Sequence, residues 1–309
     1  MSQEQSPPRL PWVAYSEEYV VDYPADHVFH PEVARATLEM LLARGALTHQ
    51  EVFDPVPASW EQVSLVHRPA YLERLRQFAR QGWSETRDTP VSEPILQGTL
   101  KATGGTIAAA TLALHHRAAV NLAGGYHHAF PDHGEGFCLI NDIAVAIRVL
   151  QQGCLIERAA VVDLDLHQGN GTAAIFADDP SVFTFSMHEY NNYPVVKPPS
   201  DLDIHLPSGV GDDYYLQRLQ EALPQVLASD PQLVIYVAGV DPYRLDQLGG
   251  LRLTEEGLRA RDEMVTGQVA ERGLPLCVVM AGGYAPTVQE TAQLHANTVE
   301  SLATLRPRA

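Results

Sequence analysis

The sequence predicts a three-layer α/β/α fold over residues 1–309, read as a single domain. Its core would be a mainly parallel sheet of roughly eight strands. Three observations carry this expectation. Short, almost wholly apolar runs alternate with segments of helical periodicity. No internal repeat, low-complexity tract or long linker divides the chain. Several of the apolar runs end in unusual polar residues, and the carboxyl ends of such strands are where these sheets bind ligands.

The elements follow in order. The strand "WVAY" opens the sheet, and "PEVARATLEMLLARG" (31–45) is the first helix, rich in Leu, Ala and Glu at helical spacing. "VSLV" (63–66) reads as a second strand from its β-branched content. Helices follow at 69–82 and 100–117, then the strand "AVNLA", a helix at 141–153 and the strand "AAVVDLD". "VFTFSMH" and "LDIHL" are further strands, followed by a helix at 213–228. The pattern closes with "LVIYVAG", a helix at 254–273, "LCVVMAGG" and a helix at 286–304. The continuous apolar runs suit strands buried on both faces.

Composition narrows the function. With 45% hydrophobic residues the chain can bury a full core, and no apolar run approaches the ~20 residues needed to span a bilayer. "MSQEQSPPRLPW" has neither the basic nor the apolar region of a secretory signal. The three cysteines are odd in number and far apart, which suits a reducing cytoplasm and excludes a thiolate zinc cluster. A net charge of −17, with only Lys101 and Lys197 as lysines, disfavours direct nucleic-acid binding. Cationic partners are compatible with it.

Five strand ends deliver polar groups to one edge: His127-His128, then Asp163, Asp165 and His167, then Ser186 with His188, then Asp241, then Gly282-Gly283-Tyr284. Carboxylates there are costly to desolvate unless a cation compensates them. Residues two apart on a strand share a face with Cα atoms about 6.6 Å apart, so Asp165 and His167 can chelate one ion. Asp163 lies about 13 Å from His167 on an extended strand and suits orienting a histidine, or helping to hold a monovalent cation. Asp241 is the third ligand, and an Asp₂His set with an open position describes a catalytic zinc. The His127-His128 pair suits general base and acid work. Tyr284, after two glycines, can stabilise a developing oxyanion. The pair His115-His116 ends a helix and reads as structural.

At these residues the sequence resembles the zinc-dependent histone deacetylase family, with its arginase/deacetylase fold. "AGGYHHAFPDHGEGFCLIND", "VVDLDLHQGNGT", "AGVDPYRLDQLGGLRLT" and "AGGY" occur in the family's order, and "HQGNG" is similar to the class IV branch and its bacterial relatives. The resemblance implies zinc on Asp165, His167 and Asp241, and a proton-transfer dyad of His127 and His128. It implies that Tyr284 polarises the acyl carbonyl and that K⁺ lies near Asp163 and Ser186. Gly136 and Phe137 would line an acyl-lysine channel opposite Tyr193. Class I members carry an aspartate where this chain has Asn170, so Asn170 is expected to face His128, with Asp163 serving His127.

Departures from the family pattern are Ala281 in place of a third glycine, Arg244-Leu245 before Asp246, and an unassigned rim carboxylate for which Asp88 and Glu93 are candidates. A methyl at Ala281 is expected to be tolerated unless that backbone needs a positive φ. The expected activity is removal of an acetyl or longer acyl group from acyl-lysine. Acetylpolyamines or other small amides are the alternative substrates, and a silent acyl-lysine binder is the alternative class. Too few extra ligands are present for an arginase-like pair of manganese ions.

Overall fold

A computed structural model describes residues 12–24, 27–86 and 88–305. All of "MSQEQSPPRLPW" but Trp12 lies outside them. The elements are β1 (Trp12–Ala14), α1 (Glu32–Ala43), β2 (Val52–Phe53), α2 (Trp60–Val63), α3 (Pro69–Gln81), β3 (Ser84–Thr86), β4 (Thr89–Pro90), α4 (Glu93–His116) and β5 (Ala118–Asn121). Then come α5 (Asp142–Gln152), β6 (Ala159–Asp163), α6 (Asn170–Phe176), β7 (Val182–Glu189), β8 (Leu202–Leu206) and α7 (Asp212–Leu227). The last four are β9 (Leu233–Val237), α8 (Glu255–Glu271), β10 (Leu276–Val279) and α9 (Val288–Ser301).

Eight strands form one sheet in the order β2-β1-β5-β10-β9-β6-β7-β8, and every pairing in it is parallel. Alternation along each strand feeds two cores. In β6, Ala159 and Val161 pack with Ile143 and Ile147 of α5 and with Ala109 and Ala113 of α4. Ala160 and Val162 face the opposite layer, which includes Leu41, Leu219, Val265 and Val299 from α1, α7, α8 and α9. Period-2 side-chain direction is the cause, because one strand must satisfy both covering layers.

Four sequence expectations change. "VSLV" is not a strand: Val63 ends α2, whose capping box pairs Ser59 with Gln62, and a turn follows. The missed signal was that Ser-x-x-Gln spacing. The eighth strand is instead β2, two residues at the sheet edge. Helix α4 starts at Glu93, not near 100, because Ser92 caps it and Pro94 sits in its first turn. Strand β6 stops at Asp163, and the Gly-Asn-Gly segment read as a turn opens α6 at Asn170.

Candidate active site and metal centre

The loops after β5, β6, β9 and β10 converge at the carboxyl edge of the sheet. Asp165 and His167 lie in the bend after β6 and not on an extended strand, so the bend, not strand alternation, brings them together. His167 Nδ1 is 3.2 Å from Asp165 Oδ1 and 3.1 Å from Asp241 Oδ2. The three donor atoms fit within 4.8 Å of one another, and all three residues are buried. A tetrahedral zinc with bonds of about 2.0–2.2 Å keeps its donors about 3.3–3.6 Å apart, so the cluster fits one such ion after small adjustments.

Electrostatics point the same way. Burial, then the neighbouring charge of Asp165, pushes the Asp241 carboxyl up to about 8. Burial alone would lower His167, yet hydrogen bonds to Asp165 and Asp241 outweigh it and raise the imidazole to about 10. Two buried carboxylates sharing one imidazole make a group that attracts a cation.

The histidine pair follows β5. Buried Asp142, at the start of α5, accepts from the backbone N–H groups of Gly125 and Tyr126 at 3.0 and 2.7 Å, fixing the loop that carries the pair. His127 Nδ1 lies 2.7 Å from Asp163 Oδ2, and His128 Nδ1 lies 2.6 Å from Asn170 Oδ1. The two rings differ in charge preference. Burial would lower His127, but the charges of Asp163 and Asp165 lift it to about 9. Burial, then the charge of His127, holds His128 well below the ordinary imidazole range.

Tyr284 is nearly buried, and its backbone N–H donates to Asp246 Oδ2 at 2.7 Å. Burial, reinforced by the charges of Asp165 and Asp241, pushes its phenol well above its usual value, so the hydroxyl keeps its proton. Gly282 must lack a side chain: its N–H donates to Asp165 Oδ2 at 2.8 Å, and a Cβ would meet Asp241 Oδ2 at 2.4 Å. Ala281 adopts a φ of 55°, so its backbone does take the left-handed form that the expectation of a tolerated methyl excluded.

A cavity of about 300 Å³ opens over this cluster. Gly136, Phe137 and Tyr193 all line it. The Tyr193 ring stands edge-on to His128 with centroids 4.9 Å apart, and the Phe137 ring stands edge-on to Tyr284 at 5.9 Å. Gly136 has a φ of 54°, and a Cβ there would strike the His128 ring at 2.5 Å. Asp88 is exposed and also lines the cavity, whereas Glu93 is at the start of α4 and does not. Arg244 and Leu245 are exposed and stand outside it.

The β7 end departs from expectation. His188 does not line the cavity. Its ring turns to His205 at 2.8 Å and to the Ser186 hydroxyl at 2.9 Å. The segment after β7 reaches the cavity through Asn192 and Tyr193 instead. Ser186 pairs with Asp163 in the register of β6 and β7. Two residues escaped the sequence reading. Glu135 accepts a hydrogen bond from the Asn170 amide, and Arg261 of α8 donates to the carbonyls of Gly239 and Leu164 at 2.6 and 3.3 Å. Glu135 stands inside "AGGYHHAFPDHGEGFCLIND" without a role that the motif assigns, and Arg261 carries no periodic or motif signal; each acts through a partner distant in sequence.

Comparison with known proteins agrees with this geometry. Residues 27–302 match the histone deacetylase domain family. The chain is 43% identical over 285 residues to an uncharacterized protein of Picosynechococcus, covering 92% of this chain and 95% of that one. It is 32% identical over 305 residues to histone deacetylase 2 of Arabidopsis thaliana, covering 94% and 78%. The crystal structure of the HDA15 HD domain superposes with a TM-score of 0.80 at 25% identity, covering 94% of this chain and 90% of that one. The fold is thus that of the arginase/deacetylase class. This chain belongs to the histone deacetylase family, zinc-dependent hydrolases acting on amide bonds.

Proposed function

We propose that the protein is a lysine deacylase, a single catalytic domain that removes an acetyl or longer acyl group from the side-chain amine of acyl-lysine. The observation that carries this reading is the meeting, under one cavity, of Asp165, His167 and Asp241 with a split histidine pair and a protonated Tyr284.

Asp165, His167 and Asp241 would hold zinc, which supplies Lewis acidity to the acyl carbonyl and to the attacking water. His128, neutral and buried, takes the proton of that water at Nε2, since Nδ1 is occupied by Asn170. The Tyr284 hydroxyl donates to the acyl oxygen as negative charge develops there. His127, held cationic by Asp163, has a proton to share with the leaving amine. Pairs of groups pushed apart in pKa are the mark of such acid and base assignments.

Phe137 and Tyr193 suit the walls of a channel for the lysine methylenes, with Gly136 letting the chain pass close to His128. Val33, Ala34, Leu122, Ala123 and Met280 add apolar lining suited to the acyl group. Of the two rim candidates, only Asp88 lines the cavity, which supports it as the acceptor for a substrate backbone N–H. K⁺ near Asp163 and Ser186 belongs to the same reading, as does membership of the class IV branch, on the strength of "HQGNG". A cytoplasmic setting agrees with three unpaired cysteines; among the described residues no helix is long and apolar enough to cross a membrane.

The test is a panel of fluorogenic acyl-lysine peptides, from acetyl to myristoyl, run beside acetylated polyamines, with zinc content measured. Turnover of the peptides, about one zinc per chain, and loss of both metal and activity in Asp241→Ala are expected. Turnover of polyamines alone would move the substrate to small amides. No turnover of either, in protein carrying zinc, would leave a binding protein.

A further inference from the structure

The side chain of Glu135 lies between the catalytic pair and the channel wall. One of its oxygens accepts from the Asn170 amide nitrogen, and its charge is felt at the nearby Tyr193 phenol. The Asn170 side chain is 1% exposed, and its carbonyl oxygen lies 2.6 Å from His128 Nδ1 and 3.1 Å from the backbone N–H of Gly171. A carboxylate offers only acceptor oxygens, whereas an amide has one donating and one accepting end. The polarity of the chain therefore follows from Glu135. The amide must turn its NH₂ to Glu135, so it turns its oxygen to His128. An oxygen there demands a proton on His128 Nδ1, and a neutral imidazole carries only one. His128 Nε2 is then left with its lone pair facing the cavity.

We propose that Glu135 is a positioning residue that sets the tautomer of His128 through the amide of Asn170. This role rests on the hydrolytic reading of the site given above. Asn170 alone does not define the tautomer, because a free amide can present either end. The Gly171 N–H holds the oxygen from one side, and Glu135 holds the nitrogen from the other. Asp163 performs the corresponding task for His127 directly, with no intervening amide.

Two measurements decide it. In zinc-loaded protein labelled with ¹⁵N-histidine, wild-type His128 should show a protonated Nδ1 and an unprotonated Nε2. Glu135→Ala should bring up the second tautomer. In kinetics, Glu135→Ala should lower kcat about tenfold, as loss of a group orienting a site ligand or base commonly does, with KM within about twofold. Adding Asn170→Asp to that variant should restore kcat to within about threefold of wild type, because a carboxylate accepts on either oxygen and has no wrong face. A purely architectural role for Glu135 predicts the opposite, a second loss added to the first. An unchanged ¹⁵N pattern in Glu135→Ala overturns the proposal. So does a double variant no better than the single one. Glu135→Leu keeps much of the side-chain bulk but offers no acceptor to the Asn170 amide; should Glu135→Ala lose its zinc or melt early, the same spectrum and the same rescue are read in Glu135→Leu. If wild type hydrolyses no acylated amine, the hydrolytic reading falls, and the ¹⁵N comparison still decides what Glu135 does.

Discussion

At Ala281 the backbone takes a φ of 55°, a conformation that costs an L-residue roughly 1–2 kcal/mol relative to glycine. The cost is accepted one residue before Gly282, where the chain turns against the carboxylates of Asp165 and Asp241. Ala281→Gly should therefore stabilise the protein by about 1 kcal/mol, raising the melting temperature by about 2 °C. Calorimetry reads this directly, and a melting point that fell would show that the methyl packs usefully against Gly125. At His128 the expected effect is one of pH. A base works only when neutral, so the acidic limb of kcat/KM marks protonation of this ring. Burial and the charge of His127 disfavour that protonation, placing the limb below the ordinary imidazole range. In the Glu135→Ala background, where no second carboxylate competes, Asn170→Asp brings a negative charge to Nδ1. It should raise the imidazole and move the acidic limb to higher pH. A limb that stays fixed under matched zinc content would show that the neighbour of Nδ1 does not set the charge of the base. For Tyr284, removal of one oxyanion donor costs on the order of 10²–10³ in kcat, so Tyr284→Phe should keep its zinc and its fold but turn over poorly.

Among the elements, α8 holds in place the loops that carry Asp165 and Asp241. Arg261 is wholly buried, pairs with Asp262 at 2.8 Å, and donates to the carbonyls of Leu164 and Gly239. Asp262 in turn accepts from the Tyr236 hydroxyl on β9 and from Thr298 on α9. One ion pair thus ties α8 to a strand, to a neighbouring helix and to the two loops that carry Asp165 and Asp241. Removing one partner of a buried pair leaves the other uncompensated and typically costs about 3–5 kcal/mol. Arg261→Met should lose stability on that scale in urea denaturation and weaken zinc retention, because the two loop carbonyls lose their donor. A variant within about 1 kcal/mol of wild type would mean that the sheet alone fixes those loops.

At the scale of the molecule, zinc and fold should be linked. A ligand that binds only the native state stabilises it by about 2.7 kcal/mol at a hundredfold excess over its dissociation constant. Zinc added to chelator-treated protein should raise the melting temperature, and Asp241→Ala should abolish the shift; an equal shift in both would place the stabilising ion elsewhere. The parallel sheet was legible because strands buried on both faces need continuous apolar runs, and helices between them need a 3.6-residue stripe. The clustering of Asp165, His167 and Asp241 was legible because three ionisable residues stand where strand termini have no structural use for charge. Other features were not legible, and the reason is distance along the chain. Two-residue β2 belongs to the sheet only because β1 lies beside it. Asn170 opens a helix, although glycines on either side read locally as a turn. Asp165 and His167 meet through a bend after β6 that no periodicity specifies. Local sequence thus determined which segments are strand or helix and which residues are chemically poised. Tertiary structure alone decided that Glu135 faces Asn170, that Arg261 reaches Leu164 and Gly239, and that His188 turns from the cavity to His205. Each of these depends on a partner that only the folded chain brings near.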